Sequence, residues 1–400
     1  MEGSGGMTSK WKALGWIAAA ELFALSLWFS GSVVAFDLIE VWGVNEGLSP
    51  WLSAAVPAGF VIGALISSSI GLADRFNTRY VFALAALFGA LFNGLILFTD
   101  QAIIGILLRV LTGVMLAGVY PTAVKLLSQW FPAKRGLAIG VLIAGLTMGS
   151  AMPQFFITFI GGLHWQYVII ASSTLAVIAA AIIYFILDDA PVTQKKTYFS
   201  FNLLKRVIRN KPVMLANYGY FGHMWELYAM WTWLPLFFSA SFLTYDASTS
   251  LAFIAFASFL CIGVAGGAGS IIGGLVADKV GRARLTVYSM VISSLCCLTV
   301  GFTFGQSIWL TLTLAMIWGA SVISDSAQFS AAVSEFAEVE YIGTALTFQM
   351  CVGFLITIFS INLIPYAEAL MGWEWVFSIL AVGPVLGIIS MARFKRYEVT

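Results

Sequence analysis

Apolar runs of about twenty residues, parted by short polar turns, recur from Trp11 to about Met391. Hydropathy read against charge and turn residues predicts twelve of them, over 11–36, 51–72, 80–98, 102–128, 136–160, 167–187, 212–239, 249–276, 285–304, 308–333, 342–365 and 375–392. Such lengths match helices crossing a hydrocarbon core of about 30 Å, whereas membrane strands would be shorter and alternating. The longest polar stretch, 188–211, divides the runs six and six and reads as a linker. The expected architecture is an all-α integral membrane protein with one six-helix bundle over 11–187 and a second over 212–392. A leader over 1–10 and a tail over 393–400 flank them. The first run is too long for the core of a cleavable signal peptide and carries Glu21 inside it.

Composition agrees with that pattern. Sixty per cent of the 400 residues are hydrophobic and 10% are charged, and the mean hydropathy is +0.94, outside the range of ordinary soluble domains. The four cysteines all fall within predicted spans and read as small apolar packers. Nineteen of the twenty lysines and arginines lie at the N-terminus, in the loops after runs two, four, six and eight or in the tail, and the twentieth is Arg109. The positive-inside rule then places both termini in the cytoplasm, with the protein in the inner membrane.

The chain also repeats itself. Glu21-Leu-Phe-Ala-Leu-Ser-Leu-Trp28 pairs with Glu226-Leu-Tyr-Ala-Met-Trp-Thr-Trp233, GLADRFNTR (71–79) with GLVADKVGRAR (274–284), and HWQY (164–167) with GWEW (372–375). Two six-helix halves of like order are the parallel repeat of carriers whose binding site lies between the halves near mid-membrane.

At these residues the chain resembles the major facilitator superfamily over nearly its whole length. The family's loop after helix two, G-x-x-x-D-[RK]-x-G-[RK]-x-[RK], is intact in the second half as Gly274, Asp278, Lys279, Gly281, Arg282 and Arg284. The first half keeps Asp74, Arg75 and Arg79 but has Ile70 and Asn77 in place of the glycines. LRVLTGV (108–114) is similar to the family's helix-four pattern and WFPAKRGLAIG (130–140) to its loop into helix five. The antiporter signature of helix five is met only by Gly145, Gly149 and Pro153, with Ser150 replacing its central proline. The chain also loosely resembles bacterial members grouped with nitrate and cyanate permeases, without the anion-binding arginines of helices two and eight. The resemblance implies twelve helices in two pseudo-symmetric bundles working by alternating access. It also implies gating roles for the two loop motifs, with their bases meeting the other half or lipid headgroups.

Only four formal charges lie well inside spans: Glu21, Arg109, Glu226 and Asp325. The resemblance puts their helices, one, four, seven and ten, around the central cavity. A charge at a helix centre costs about 2.5 to 3.5 kcal/mol on insertion scales, so such groups call for a reason. Satisfied structural pairs are one, but three acids against one arginine leave at least two carboxyls without a cation. Carboxyls of that kind can exchange a proton with the conformational cycle. His223, three residues before Glu226, shares its face and is expected to pair with it.

Trp28 and Trp233 each follow their glutamate by two turns, Trp318 stands two turns before Asp325, and Gln328 one turn after it. With Tyr120 and Gln349 they are the expected solute contacts. Acids among indole rings suit an organic cation. The expected function is a proton-coupled carrier of a small organic solute, cationic or amphipathic, working as a monomer among membrane lipids. The alternatives are an anion held by Arg109 and His223, or a passive facilitator. No nucleotide-binding loop and no Cys or His cluster of zinc spacing occurs in the sequence, so no cofactor, metal, nucleic acid or enzymatic reaction is expected.

Overall fold

A computed structural model describes residues 5–131, 135–160, 164–190 and 198–398, with side chains from residue 10 onward and without that of Arg135. The start of the expected leader, most of the basic part of the WFPAKRG loop and the middle of the linker therefore lie outside the described residues. The described chain is helical, with no strand.

Eleven of its helices are long and apolar enough to span a membrane. They are Lys10–Val33, Glu46–Ile70, Thr78–Phe98, Ala102–Trp130, Gly136–Ile160, Gln166–Ile186, Leu251–Val280, Arg282–Thr303, Ile308–Phe336, Ile342–Met371 and Val376–Phe394. Between the sixth and seventh of these stands Lys211–Tyr245, the longest helix of the chain at 35 residues. Its hydropathy is diluted by Trp, Tyr and Glu226, but twenty of its residues are buried, so protein rather than lipid surrounds much of it. In chain order these are helices one to twelve. Residues 5–10, expected as leader, already belong to the first helix, Gly5–Leu25.

Three helices that carry intramembrane charges are interrupted. Helix one loses its α-helical ladder over residues 26–29, where Leu27 and Trp28 donate instead to the carbonyls three residues back. Helix four breaks between Leu116 and Tyr120, and helix ten breaks at Asp325. Each break frees backbone groups that side chains or water must satisfy.

Helix two packs on helix four, three on six, and one on five and six, while helix seven packs on eleven and twelve and helix eight on ten. The two sets meet along helices two and eleven and along helices five and eight. Small residues let the backbones approach. A Cβ on Gly145 or Gly149 of helix five would stand 2.7 Å from the Ala18 carbonyl oxygen or 2.3 Å from that of Leu22, so helix five carries helix one at close range on either side of Glu21.

The chain end returns to the face where helix nine starts, Glu398 accepting from the Arg282 backbone at 2.6 Å. On this terminal face the last described part of the linker binds both halves. The Phe199 N–H donates to the Ser68 carbonyl at 3.2 Å, the Ser200 N–H donates to Thr344 Oγ1 at 3.0 Å, and the Ser68 and Thr347 hydroxyls bond at 2.9 Å.

Candidate functional site

Between the two sets of helices lies a cavity of about 570 Å³ that reaches from mid-membrane to the terminal face. Helices one, two, four, five, seven, ten and eleven contribute to its wall. Its inner end is closed by four rings, one each from helices one, two, seven and eleven: Trp28, Phe60, Tyr228 and Phe354. Their centroids are 4.6–5.6 Å apart, the range of favourable aromatic pairs. Beyond this ceiling Phe29 and Trp231 pack on Tyr228, at 6.4 and 5.2 Å, and line a second cavity of about 260 Å³. Rings from both halves thus separate two chambers.

Three expected solute contacts, Trp28, Tyr120 and Gln349, line the larger cavity. Trp233 lines the smaller one and donates its Nε1–H to the Ile361 carbonyl at 2.9 Å. Of the repeat-related tryptophans, Trp28 is thus part of the ceiling and faces the larger cavity, in the broken turn of helix one, whereas Trp233 lies in the wall of the smaller cavity on unbroken helix seven. Trp318 and Gln328 are not in either wall. The Trp318 ring is wholly buried and donates to Glu226, and Gln328 accepts from Arg282 at 2.7 Å. Phe60, Tyr228 and Phe354 escape a reading of the sequence among so many aromatic residues, although Tyr228 falls inside the repeated segment.

The four intramembrane charges stand behind the cavity wall rather than in it. Arg109 was expected to face an acid or a solute anion, and it does neither. It is wholly buried and donates to the carbonyls of Trp28, Leu27 at 2.9 Å and Leu52 at 3.4 Å. Ser30 Oγ and Asn93 Oδ1, each at 3.1 Å, complete its set. Two of these carbonyls belong to the broken turn of helix one, so the guanidinium substitutes for the missing ladder. A Cβ on Gly31 would come within 2.7 Å of Arg109 Nε, so only glycine leaves room for this contact.

Glu226 accepts from Trp318 Nε1 at 2.7 Å, Ser293 Oγ at 3.0 Å and Cys297 Sγ at 3.1 Å. The expected His223–Glu226 pair does not form. His223 Nδ1 lies instead 3.0 Å from Asp325 Oδ1 across to helix ten, within ion-pair range but without the alignment of a hydrogen bond. Glu21 is wholly buried, and neither of its oxygens has a hydrogen-bond partner among the described residues. Position in the repeat is therefore shared by Glu21 and Glu226, but environment is not.

The loop motifs form ties at the terminal face. Asp74 pairs with Lys125 of helix four. Arg79 donates to the Tyr184 carbonyl and to Asp189, both at 2.9 Å. Hydrogen bonds from Asn77 and Arg79 hold Asp189 below the usual carboxylate range. In the second half Arg282 bridges Glu335 at 2.5 Å and Gln328, Gly281 takes a positive φ of 90° at the turn, and Gly274 packs on Gly136. The Asp278 carboxylate lies at the start of helix five, 3.1 Å from where a Cβ on Gly136 would be. Arg75 and Lys279 are exposed.

Comparison with known proteins adds a family. The model described as Major Facilitator Superfamily matches residues 17–361. The niacin transporter NiaP of Acinetobacter baylyi is 28% identical over 245 residues, 51% of this chain and 54% of that protein. The gallate transporter of Pseudomonas putida is 26% identical over 183 residues, 44% and 40% of the two chains. The chain thus spans about half or less of the length of these relatives. Among solved structures, the proton:xylose symporter XylE bound to 6-bromo-6-deoxy-D-glucose superposes with a TM-score of 0.76. It covers 97% of this chain and 96% of its own at 13% identity, a likeness of fold. With a family match running from the first helix into the eleventh and this fold, the chain belongs to the Major Facilitator Superfamily of multi-pass membrane transporters.

Proposed function

We propose that this protein is a proton-coupled secondary transporter that moves a small amphipathic organic solute with an aromatic part by alternating access. The observation that carries the proposal is the ring ceiling between two chambers, built from both halves, with the unpartnered carboxyl of Glu21 two turns before Trp28 on helix one. Helices one to six and seven to twelve are the two moving bodies, and parting of the ceiling rings opens the other chamber. The relatives named for niacin and gallate support a ring-bearing solute. A cationic solute would call for acids facing the cavity, and none of Glu21, Glu226 and Asp325 lines it. The anion alternative loses its support in the same way, because the Arg109 guanidinium is taken up by oxygens of helices one, two and three.

Glu21 is the leading proton carrier in this reading. A buried carboxylate without a donor costs far more than the neutral, protonated acid, so the group favours carrying a proton in this conformation. Asp325, with His223 at 3.0 Å, and Glu226, with three donors, complete the proposed coupling set. The protein works in the inner membrane as a monomer, with both termini on the cytoplasmic side and its basic loops on lipid headgroups. Flux of labelled niacin and gallate into proteoliposomes, with and without an imposed pH gradient, tests the proposal. Accumulation only with the gradient supports coupling; equal flux without accumulation would leave a passive facilitator.

A further inference from the structure

The proposed function leaves the charge of the solute open, and the wall of the larger cavity bears on it. Among its described lining residues only Asp74 and Lys125 carry formal charge, and they pair with each other at the terminal face. Deeper in, the wall consists of rings, aliphatic side chains and neutral polar groups such as Tyr120 and Gln349. Arg109, the lone intramembrane cation, has its guanidinium on three carbonyls, Ser30 and Asn93. In the deep part of this chamber a carboxylate would meet no cation among the described lining residues. An ammonium there would find rings for cation–π contact but no carboxylate in the deep wall, since Glu21, Glu226 and Asp325 all lie outside it. A buried unpaired ion is far costlier than a neutral polar group, which needs one hydrogen-bond partner.

We propose that the cavity selects an uncharged planar aromatic solute, and takes a weak aromatic acid only in its protonated form. The ring lies under Trp28, Tyr228 and Phe354, and the polar substituent meets Tyr120 or Gln349. This rests on the reading of the cavity as the site of an aromatic solute.

The test uses matched probes on the purified full chain: benzamide against benzoate and nicotinamide against nicotinate, by calorimetric titration. At pH 7.5 each amide is expected to bind at least about tenfold more tightly than its carboxylate. Carboxylate affinity is expected to rise about tenfold per unit as pH is lowered to 5.5, following the protonated fraction of the probe. Tyr228→Leu, checked for unaltered thermal unfolding, is expected to weaken benzamide at least about tenfold. A carboxylate that binds as tightly as its amide at pH 7.5 overturns the charge selection and leaves the aromatic-solute reading standing. Benzamide binding unmoved by Tyr228→Leu overturns the placement under the ceiling. Binding of none of the four probes at any pH overturns the aromatic reading itself, and the inference with it.

Discussion

Arg109 commits its charge to oxygen atoms that carry none, and this separates it from the acids it was expected to serve. Replacing it by Met leaves the Leu27 and Trp28 carbonyls without a donor in the membrane interior, at about 1–3 kcal/mol for each unsatisfied group. Thermal unfolding in detergent should therefore drop sharply for Arg109→Met, and Arg109→Lys should recover only part, since an ammonium lacks the planar fork. Glu21→Gln should behave in the opposite manner, unfolding near the wild-type temperature and retaining solute counterflow while losing accumulation driven by a pH gradient. Undiminished accumulation in that variant would remove Glu21 from the coupling role. The identity of the four intramembrane charges was legible in the sequence, because ionisable residues stand out in apolar runs. Their partners were not, since Ser293, Cys297 and Trp318 reach Glu226 from 67, 71 and 92 residues away. Helical spacing suggested His223 for that carboxylate, but the histidine instead lies against Asp325 on helix ten.

Helices rather than residues set where those groups stand. Helix five bears on helix one through Gly145 and Gly149, and a side chain at Gly149 would displace the backbone just beside Glu21. Gly149→Val is expected to cost about 1–3 kcal/mol, by the usual penalty for overpacking, seen as a lower unfolding midpoint. Gly15, with nothing within 4 Å of an added Cβ, should accept alanine without such loss. The spans themselves follow from hydropathy, as a run of twenty apolar residues has few alternatives to a helix in lipid. Helix seven extends to Tyr245, six residues past its expected end at 239. The breaks in helices one and ten left no comparable mark. Neither is made by a proline, and the one in helix one is held by an arginine more than eighty residues away. That Trp28 and Trp233 line different chambers was hidden as well, although their equivalence in the repeat was plain.

In the whole molecule the terminal face is tied across the two halves by Ser68 and Thr347, while the ring ceiling closes the route beyond. Cysteines at both positions, Ser68→Cys with Thr347→Cys, should form a bond under oxidation that halts transport and is reversed by reductant. The four native cysteines are buried and need not be removed for this experiment. If oxidation leaves transport intact, the two helices do not part there during the cycle. The charge-free wall of the deep cavity has an electrical consequence. A solute without charge that travels with one proton carries one positive charge across the bilayer per cycle, so voltage becomes a driving force in its own right. A potassium diffusion potential of about 100 mV, inside negative and with no pH difference, supplies about 2.3 kcal/mol per charge, enough for accumulation of about fiftyfold. Vesicles loaded with potassium and treated with valinomycin should therefore take up the solute against its gradient, and the uptake should register as an inward current.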